Sequence, residues 1–220
     1  MSDFHSYAHS HLAYLQKHGQ KVIYKKGQLL VRREEDSPWS FFIESGYVKM
    51  MFTDDIGNER VLGFGIPGMT ITQSGSFYSM PHVELEYEAH TDCIVWRMPR
   101  SEFIAAMQQN PEIFREWHER ILQNHNLLIE RILYIGEKQP RRRIISWLLA
   151  MARYYSFHQP DDSYFIEIPV NQSIIASWTH LSRETTSKII SELKKQGLIH
   201  IKHRFITVPD IEKLRKALYA

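Results

Sequence analysis

The stretch from Asn171 to Val208, NQSIIASWTHLSRETTSKIISELKKQGLIHIKHRFITV, constrains this chain more than any other. Asn171 can cap a short helix over 172–178. A tight turn follows at Thr179–Leu181, and a second helix starts at Ser182. Ala176 leaves room for two helices to cross steeply, with Ile175, Leu181, Ile189 and Leu193 placed to face inward. This is helix-turn-helix spacing. GLIHIKHRFITV then reads as a two-strand hairpin whose turn holds Lys202, His203 and Arg204, a wing beside the second helix.

In a helix-turn-helix the N-terminal turn of the second helix is the part that enters a DNA major groove. Here Arg183, Glu184, Ser187 and Lys188 fall at i, i+1, i+4 and i+5, so they share its exposed side. Arginine can fork onto guanine O6 and N7, and glutamate can accept from cytosine N4. Ser182 and Thr185, together with the helix's own N–H groups, suit phosphates. The expected backbone contacts are Asn171, Ser182, Thr185, Lys202, His203 and Arg204, and the expected partner is double-stranded DNA. A merely solvated charged face is the plain alternative, and the cationic wing turn argues against it.

Charge distribution agrees with that expectation. The chain of 220 residues carries a net charge of +2, but from Gly136 onward there are 14 Lys and Arg against 8 Asp and Glu. The preceding part is net acidic, with 13 against 17. A basic C-terminal third suggests a polyanion-binding module. Apolar residues at 43% and charged residues at 24% are the profile of a globular protein. The longest apolar run, Ile144 to Ala152, is interrupted by Ser146 and far too short to span a membrane. MSDFHSYAHS has no signal-peptide architecture, so a cytoplasmic location is expected. The single Cys93 excludes an internal disulfide and a cysteine-ligated cluster or zinc finger within one chain.

Ahead of the C-terminal part the chain changes grammar twice. A short helix ending at Gly19 gives way, from Lys21 to Pro99, to short Val-, Ile-, Phe-, Tyr- and Thr-rich runs separated by KKGQ, ESGY, DDIGN and IPGM. Strands at this spacing predict a small barrel or jelly roll. SFFIESGYVKMMF and NERVLGFGI read as strands meeting in a hairpin across 54–57, and VELEYEAHTDCIVWRMP as two more. Helical periodicity returns with RSEFIAAMQQN and then a long helix over 111–138, opened by Asn110-Pro111. Phe114, Trp117, Ile121, Asn124, Leu128 and Ile135 form one stripe on it, and Leu122, Ile129, Ile132 and Leu133 a second. Two apolar faces need two things to pack on, so one face is expected to meet a second copy of the helix, making a homodimer. A helix buried wholly within its own domain is the alternative. Pro140 breaks the pattern, a further helix runs to Tyr155, FHQPDDS is a loop, and YFIEIPV a strand.

FFIESGYVKMMFTDDIGNERVLGFGIPG, the long helix and VNQSIIASWTHLSRETTSKIISELKKQGLI together resemble the CRP/FNR superfamily of bacterial transcription regulators over nearly the whole chain. The resemblance implies an α+β fold in three parts. Residues 1–110 would be a double-stranded β-roll of the cyclic-nucleotide-binding jelly-roll type, 111–138 a dimerisation helix, and 139–220 a winged helix-turn-helix. It implies a homodimer on a near-palindromic site, with RNA polymerase as a further partner. The family's base readers match Arg183, Glu184 and, by position, Lys188, where arginine is usual and a lysine gives up the bidentate fork. Ser187 matches the FNR-like branch and Arg183 the CRP-like branch, so a GTGA-like or a TTGA-like half-site stays open. His180 replaces the glycine common in the turn.

The family's effector signature is another matter. The cyclic-nucleotide branch has a Gly-Glu pair and an Arg-Ser pair, and PGMTITQSGSFYSMPHVELEYEA has neither, with no arginine between Arg60 and Arg97. A buried cyclic phosphate without its cation is poorly stabilised, so cAMP is not expected, and with a single cysteine in the chain neither is an iron–sulfur cluster. A small apolar or aromatic effector, or none, remains, with Ser74, Ser76, Phe77, Tyr78 and Tyr87 where the family's pocket would be. Cys93, between apolar strand neighbours, reads as core. His5, His9, His11, His118 and His125 have helical spacings that can suit a metal, but no third ligand is fixed beside them and no metal is expected. No phosphate loop, HExxH, nucleophile elbow or paired-carboxylate motif supports the rival reading of a ligand-binding barrel enzyme.

Overall fold

A computed structural model describes residues 9–33, 35–72 and 85–219, the side chain of His9 excepted. The chain divides into two compact units, Met1–Gln123 and Asn124–Ala220.

In the first unit, helix α1 (His9–His18) is followed by strands β1 (Gln20–Tyr24), β2 (Leu29–Val31), β3 (Trp39–Ser45), β4 (Val48–Thr53), β5 (Glu59–Gly65), β6 (Thr70–Ile71), β7 (Glu86–Ala89) and β8 (Cys93–Pro99). They make two four-stranded antiparallel sheets, β1-β8-β3-β6 and β2-β7-β4-β5. β3 and β4 are consecutive yet belong to different sheets, so SFFIESGYVKMMF is two strands rather than one. Gly46 makes the crossing: its φ is 86°, and a Cβ there would lie 2.3 Å from the Asp92 carbonyl oxygen. No other residue fits. The β4–β5 hairpin turns over 54–58, where the Asp54 carboxylate accepts from the N–H groups of Ile56 and Asn58 at 3.2 and 2.8 Å. The sheets face each other closely enough that a Cβ on Gly65 of β5 would be 2.6 Å from Cδ1 of Ile43 on β3. Phe41, Ile43, Val48, Val61, Phe64, Ile71 and Val95 are buried.

Helices α2 (Arg100–Gln109) and α3 (Pro111–Ile135) follow β8. Leu15 of α1, Phe42, Met98, Phe103, Met107 and Ile113 form a buried cluster, with Trp96 and Trp117 packed against it. Each side chain of this size contributes about 1.5–3 kcal/mol on full burial. The Ser10 and His11 N–H groups donate to the Glu116 carboxylate at 3.1 and 3.0 Å. A carboxylate on α3 therefore satisfies the orphan donors at the start of α1, more than a hundred residues earlier in the chain.

The second unit contains the last part of α3, then α4 (Pro140–Tyr154), β9 (Ser156–His158), β10 (Tyr164–Ile166), α5 (Gln172–Thr179), α6 (Arg183–Lys195), β11 (His200–Lys202), β12 (Phe205–Val208) and α7 (Ile211–Lys216). The strands pair in the order β11-β12-β10-β9. Trp147 of α4 meets Trp178 of α5 edge-on at 5.9 Å, and Tyr155 meets the same indole at 5.9 Å. Leu193, Ile199, Ile206, Val208 and Leu214 of the same unit are completely buried. Pro140 is the first residue of α4, where its missing N–H costs nothing. The stretch expected as a loop, FHQPDDS, begins as strand β9, whose Phe157 pairs with Phe165.

The faces of α3 differ from the expectation drawn from its two stripes. Its buried side carries Ile113, Glu116, Arg120, Leu127, Arg131 and Tyr134. Phe114, Ile121, Leu122, Leu128, Ile129, Ile132 and Leu133 are all exposed, between 43% and 72%. The two stripes thus merge into one broad exposed face. Trp117 turns instead to the buried cluster, and Asn124 and Ile135 are half-buried.

Candidate DNA interface

The interface is built on the two ends of α5 and α6. Asn171 Oδ1 accepts from the Ile174 N–H at 2.9 Å and starts α5. At the other end the Ala176 carbonyl accepts from the N–H groups of both His180 and Leu181, the latter at 3.0 Å, and His180 adopts the left-handed conformation (φ 53°, ψ 46°). This is the closing geometry that glycine usually supplies. The Thr179 hydroxyl donates to the Ile175 carbonyl at 2.7 Å. Arg143 of α4, which sequence reasoning did not single out, donates to the Thr179 and His180 carbonyls at 3.3 and 3.2 Å and to the Glu137 carbonyl at 2.7 Å. One guanidinium therefore neutralises the C-terminal end of α5 and fixes the turn that aims α6. Its only signal in the sequence is membership of the run Arg141–Arg143.

Ser182 caps α6, its Oγ accepting from the Thr185 N–H at 3.1 Å while donating to Thr185 Oγ1 at 2.9 Å. The Ser182 proton is thus engaged, and the Thr185 hydroxyl is left with its own proton to donate outward. Arg183, Glu184 and Lys188 are exposed and Ser187 is half-buried, so the four expected readers stand on one accessible side of the helix start. Thr186, Ile189, Ile190 and Leu193 form the opposite, buried side. Arg141 donates to the Gln196 side chain at 2.9 Å, just beyond the end of α6.

The wing is the β11–β12 hairpin. Lys202 pairs with Phe205, so His203 and Arg204 form a two-residue turn, with φ of 50° and 73°. Positive φ at both positions is what a type I′ hairpin requires. Asn-Gly is the comfortable choice there, and a non-glycine residue in this region costs about 1–2 kcal/mol. The Arg204 carbonyl accepts from the Val170 N–H at 2.9 Å, tying the wing to the segment that enters α5. Lys202, His203 and Arg204 are all exposed.

Of the five residues expected to line an effector pocket, Ser74, Ser76, Phe77 and Tyr78 lie outside the described residues. Tyr87 lies on β7 between Val31 and Met50, and burial pushes its phenol up to about 12. The neighbouring cation on this sheet, Lys49, is held by Glu59 and Glu88 at 3.3 and 3.2 Å. Residues 61–96 contain neither Lys nor Arg. Cys93 is 1% exposed, its Sγ donating to the Tyr47 and Thr91 carbonyls, and burial raises its thiol. Among the described residues no three His, Cys, Asp or Glu side chains converge as a metal site. Burial holds the His11 imidazole at about 4, against the opposing pull of Glu116. Among the described residues no helix is long and apolar enough to cross a membrane.

Two family models match the chain: the cyclic nucleotide-binding domain over residues 21–110 and the Crp-like helix-turn-helix domain over residues 142–217. The transcriptional activator protein FnrL of Cereibacter sphaeroides is 23% identical over 195 residues, 87% of this chain and 77% of FnrL. The cAMP-activated global transcriptional regulator CRP of Salmonella typhimurium is 24% identical over 185 residues, 84% of this chain and 87% of that one. Among solved structures, FixK2 from Bradyrhizobium japonicum superposes with a TM-score of 0.74 at 21% identity, covering 90% of this chain and 96% of its own. A CooA mutant from Carboxydothermus hydrogenoformans gives 0.76 at 19% identity, with 94% and 90% covered.

Proposed function

We propose that this chain, which belongs to the CRP/FNR superfamily of transcription regulators, binds a near-palindromic DNA site as a cytoplasmic homodimer. In this reading residues 1–110 are the sensory β-roll, 111–138 the dimerisation helix and 139–220 the DNA-binding domain. Arg183, Glu184, Ser187 and Lys188 read base edges. Asn171, Ser182, Thr185, Lys202, His203 and Arg204 hold phosphates. Phe114, Ile121 and Leu128, together with Leu122, Ile129, Ile132 and Leu133, meet the second copy. RNA polymerase is the further partner.

The observation that carries the reading is the start of α6: a helix capped by Ser182, with Arg183, Glu184 and Lys188 all exposed, in the same unit as a hairpin turn of exposed Lys202, His203 and Arg204. No packing requirement of the fold explains those side chains. An effector, where one acts, is a small molecule other than a cyclic nucleotide, because residues 61–96 supply no cation for its phosphate.

Selection of bound sites from random duplexes by the purified protein tests this, with light scattering for oligomeric state and a parallel selection in millimolar cAMP. A two-fold symmetric site recovered equally in both selections is expected. A folded dimer that enriches no sequence in either would sink the sequence-specific reading, and enrichment only with cAMP would sink the effector assignment.

A further inference from the structure

The end of α3 faces two ways. On one side Leu128, Ile129, Ile132 and Leu133 are 43% to 72% exposed, the face that the proposed function gives to the second copy. On another side the same stretch is tied to α4 by two polar latches. The Glu130 carboxylate accepts from the Arg153 guanidinium and, at 3.1 Å, from the Tyr154 hydroxyl. Just past the end of α3, the Glu137 carbonyl accepts from Nη2 and Nε of Arg143 at 2.7 and 3.2 Å. The Glu137 carboxylate pairs with Arg142 at 3.5 Å.

Arg143 reaches further than this junction. Its Nη1 donates to the Thr179 and Nη1 also to the His180 carbonyl, at 3.3 and 3.2 Å, in the turn before α6. One side chain thus bridges the exit of α3 and the turn before α6. A guanidinium is a planar, rigid fork, so bonds on both of its sides hold two segments at one mutual angle. A lysine ammonium is a point charge on a flexible stem and cannot do so. A cavity of about 220 Å³, with Glu130, Glu137 and Arg153 in its wall, lies along the junction. Close-packed seams leave few voids larger than a water, so this junction relies on its polar bonds more than a packed one would.

These bonds bear on DNA through symmetry. In a two-fold dimer the separation of the two α6 starts is set by a chain of parts. The parts are the paired α3 faces, the α3–α4 junction and the body that carries α6. Each base pair added between two half-sites moves one of them about 3.4 Å along the duplex and about 35° around it. A junction free to swing would follow such a shift, and a latched one would not. We propose that the Glu130 and Arg143 latches are positioning contacts that fix the half-site spacing the dimer accepts, and leave the choice of bases to α6. This rests on the reading of α6 as the recognition helix and of the exposed α3 face as the dimer contact. Within its own body α6 stays set by the Ser182 cap and by buried Thr186, Ile189, Ile190 and Leu193.

The test compares full-length Arg143→Lys and Glu130→Gln with the parent, after light scattering and thermal melting have identified folded dimers. Each protein selects from duplexes that carry the parent's two half-sites at a range of spacings. A second selection fixes the spacing and randomises the half-site bases. The parent is expected to enrich one spacing. Both variants are expected to enrich the spacings one base pair shorter and longer to within several-fold of it, with the same preferred bases. Should Arg143→Lys not fold as a dimer, Glu130→Gln, whose amide keeps the shape of the carboxylate, decides alone. A folded dimer of either variant that is as selective for one spacing as the parent overturns the proposal. So does a parent that accepts neighbouring spacings equally. A variant whose preferred bases change while its spacing does not also overturns it, since the contact would then serve base choice and not separation. If the parent selects no paired half-sites, the proposed function fails and takes this inference with it. If the parent selects a two-fold site and the variants keep its spacing, only the inference fails.

Discussion

At the scale of single residues, readers and clamps should separate by what they do to sequence preference. Arg183→Ala removes a guanidinium that can fork onto guanine, and should cost about 1–3 kcal/mol of specific binding while relaxing one base position. Lys202→Ala removes a point charge from the wing. It should weaken binding to all sequences alike and reduce the salt dependence by about one counterion. Binding across a library of site variants checks both, and identical profiles would show that the division is wrong. The placement of these residues was legible in the sequence because it is local: the caps made by Asn171 and Ser182, and the shared accessible side of Arg183, Glu184, Ser187 and Lys188, are each fixed by one turn of helix. Arg143 was not legible. Its role depends on three carbonyls from two separate segments, and no local pattern announces a long-range cap. The left-handed turn at His180 was signalled only by a resemblance, since histidine tolerates that conformation without demanding it.

At the scale of elements, most helices and strands could be read from periodicity and breakers, and the exceptions have physical causes. β9 was hidden because three residues flanked by a polar turn carry too little alternation to register. The faces of α3 were misread for a more instructive reason. Its inward side holds Glu116, Arg120 and Arg131, so the stripe that packs looks polar in sequence. Glu116 earns its buried place by capping α1, and burial pulls the guanidinium of Arg120 down from its ordinary range. The exposed side, by contrast, is rich in Leu and Ile and needs a cover. Leu128→Glu puts a charge in the middle of that face, opposite its own counterpart in a symmetric pair. It should shift the protein from dimer to monomer in sedimentation at micromolar concentration and leave the monomer folded, because Leu128 is 46% exposed within one chain. Retention of the dimer would place the second copy elsewhere.

At the scale of the whole molecule, stability should carry the signature of one buried imidazole. His11 is held at about 4 in the folded chain, against 6.5 for the free group, because burial disfavours its charged form. The unfolded chain therefore binds a proton that the folded chain refuses between those values. Stability is full above about pH 6.5 and falls as the pH drops towards 4, by about 3 kcal/mol in total from this group. His11→Leu should flatten that slope in melts between pH 4 and 7, and an unchanged slope would assign it to other groups. Cys93 has a practical corollary at the same scale. The only thiol of the chain is almost completely enclosed and raised by burial, so it is a poor nucleophile. A cysteine substituted for Ile56, which is 85% exposed at the β4–β5 tip, would be the one position to react with a maleimide dye. The chain is thus ready for fluorescence labelling without first removing a native sulfhydryl, and two such dyes per dimer would give an optical ruler for following the β-rolls as DNA is bound.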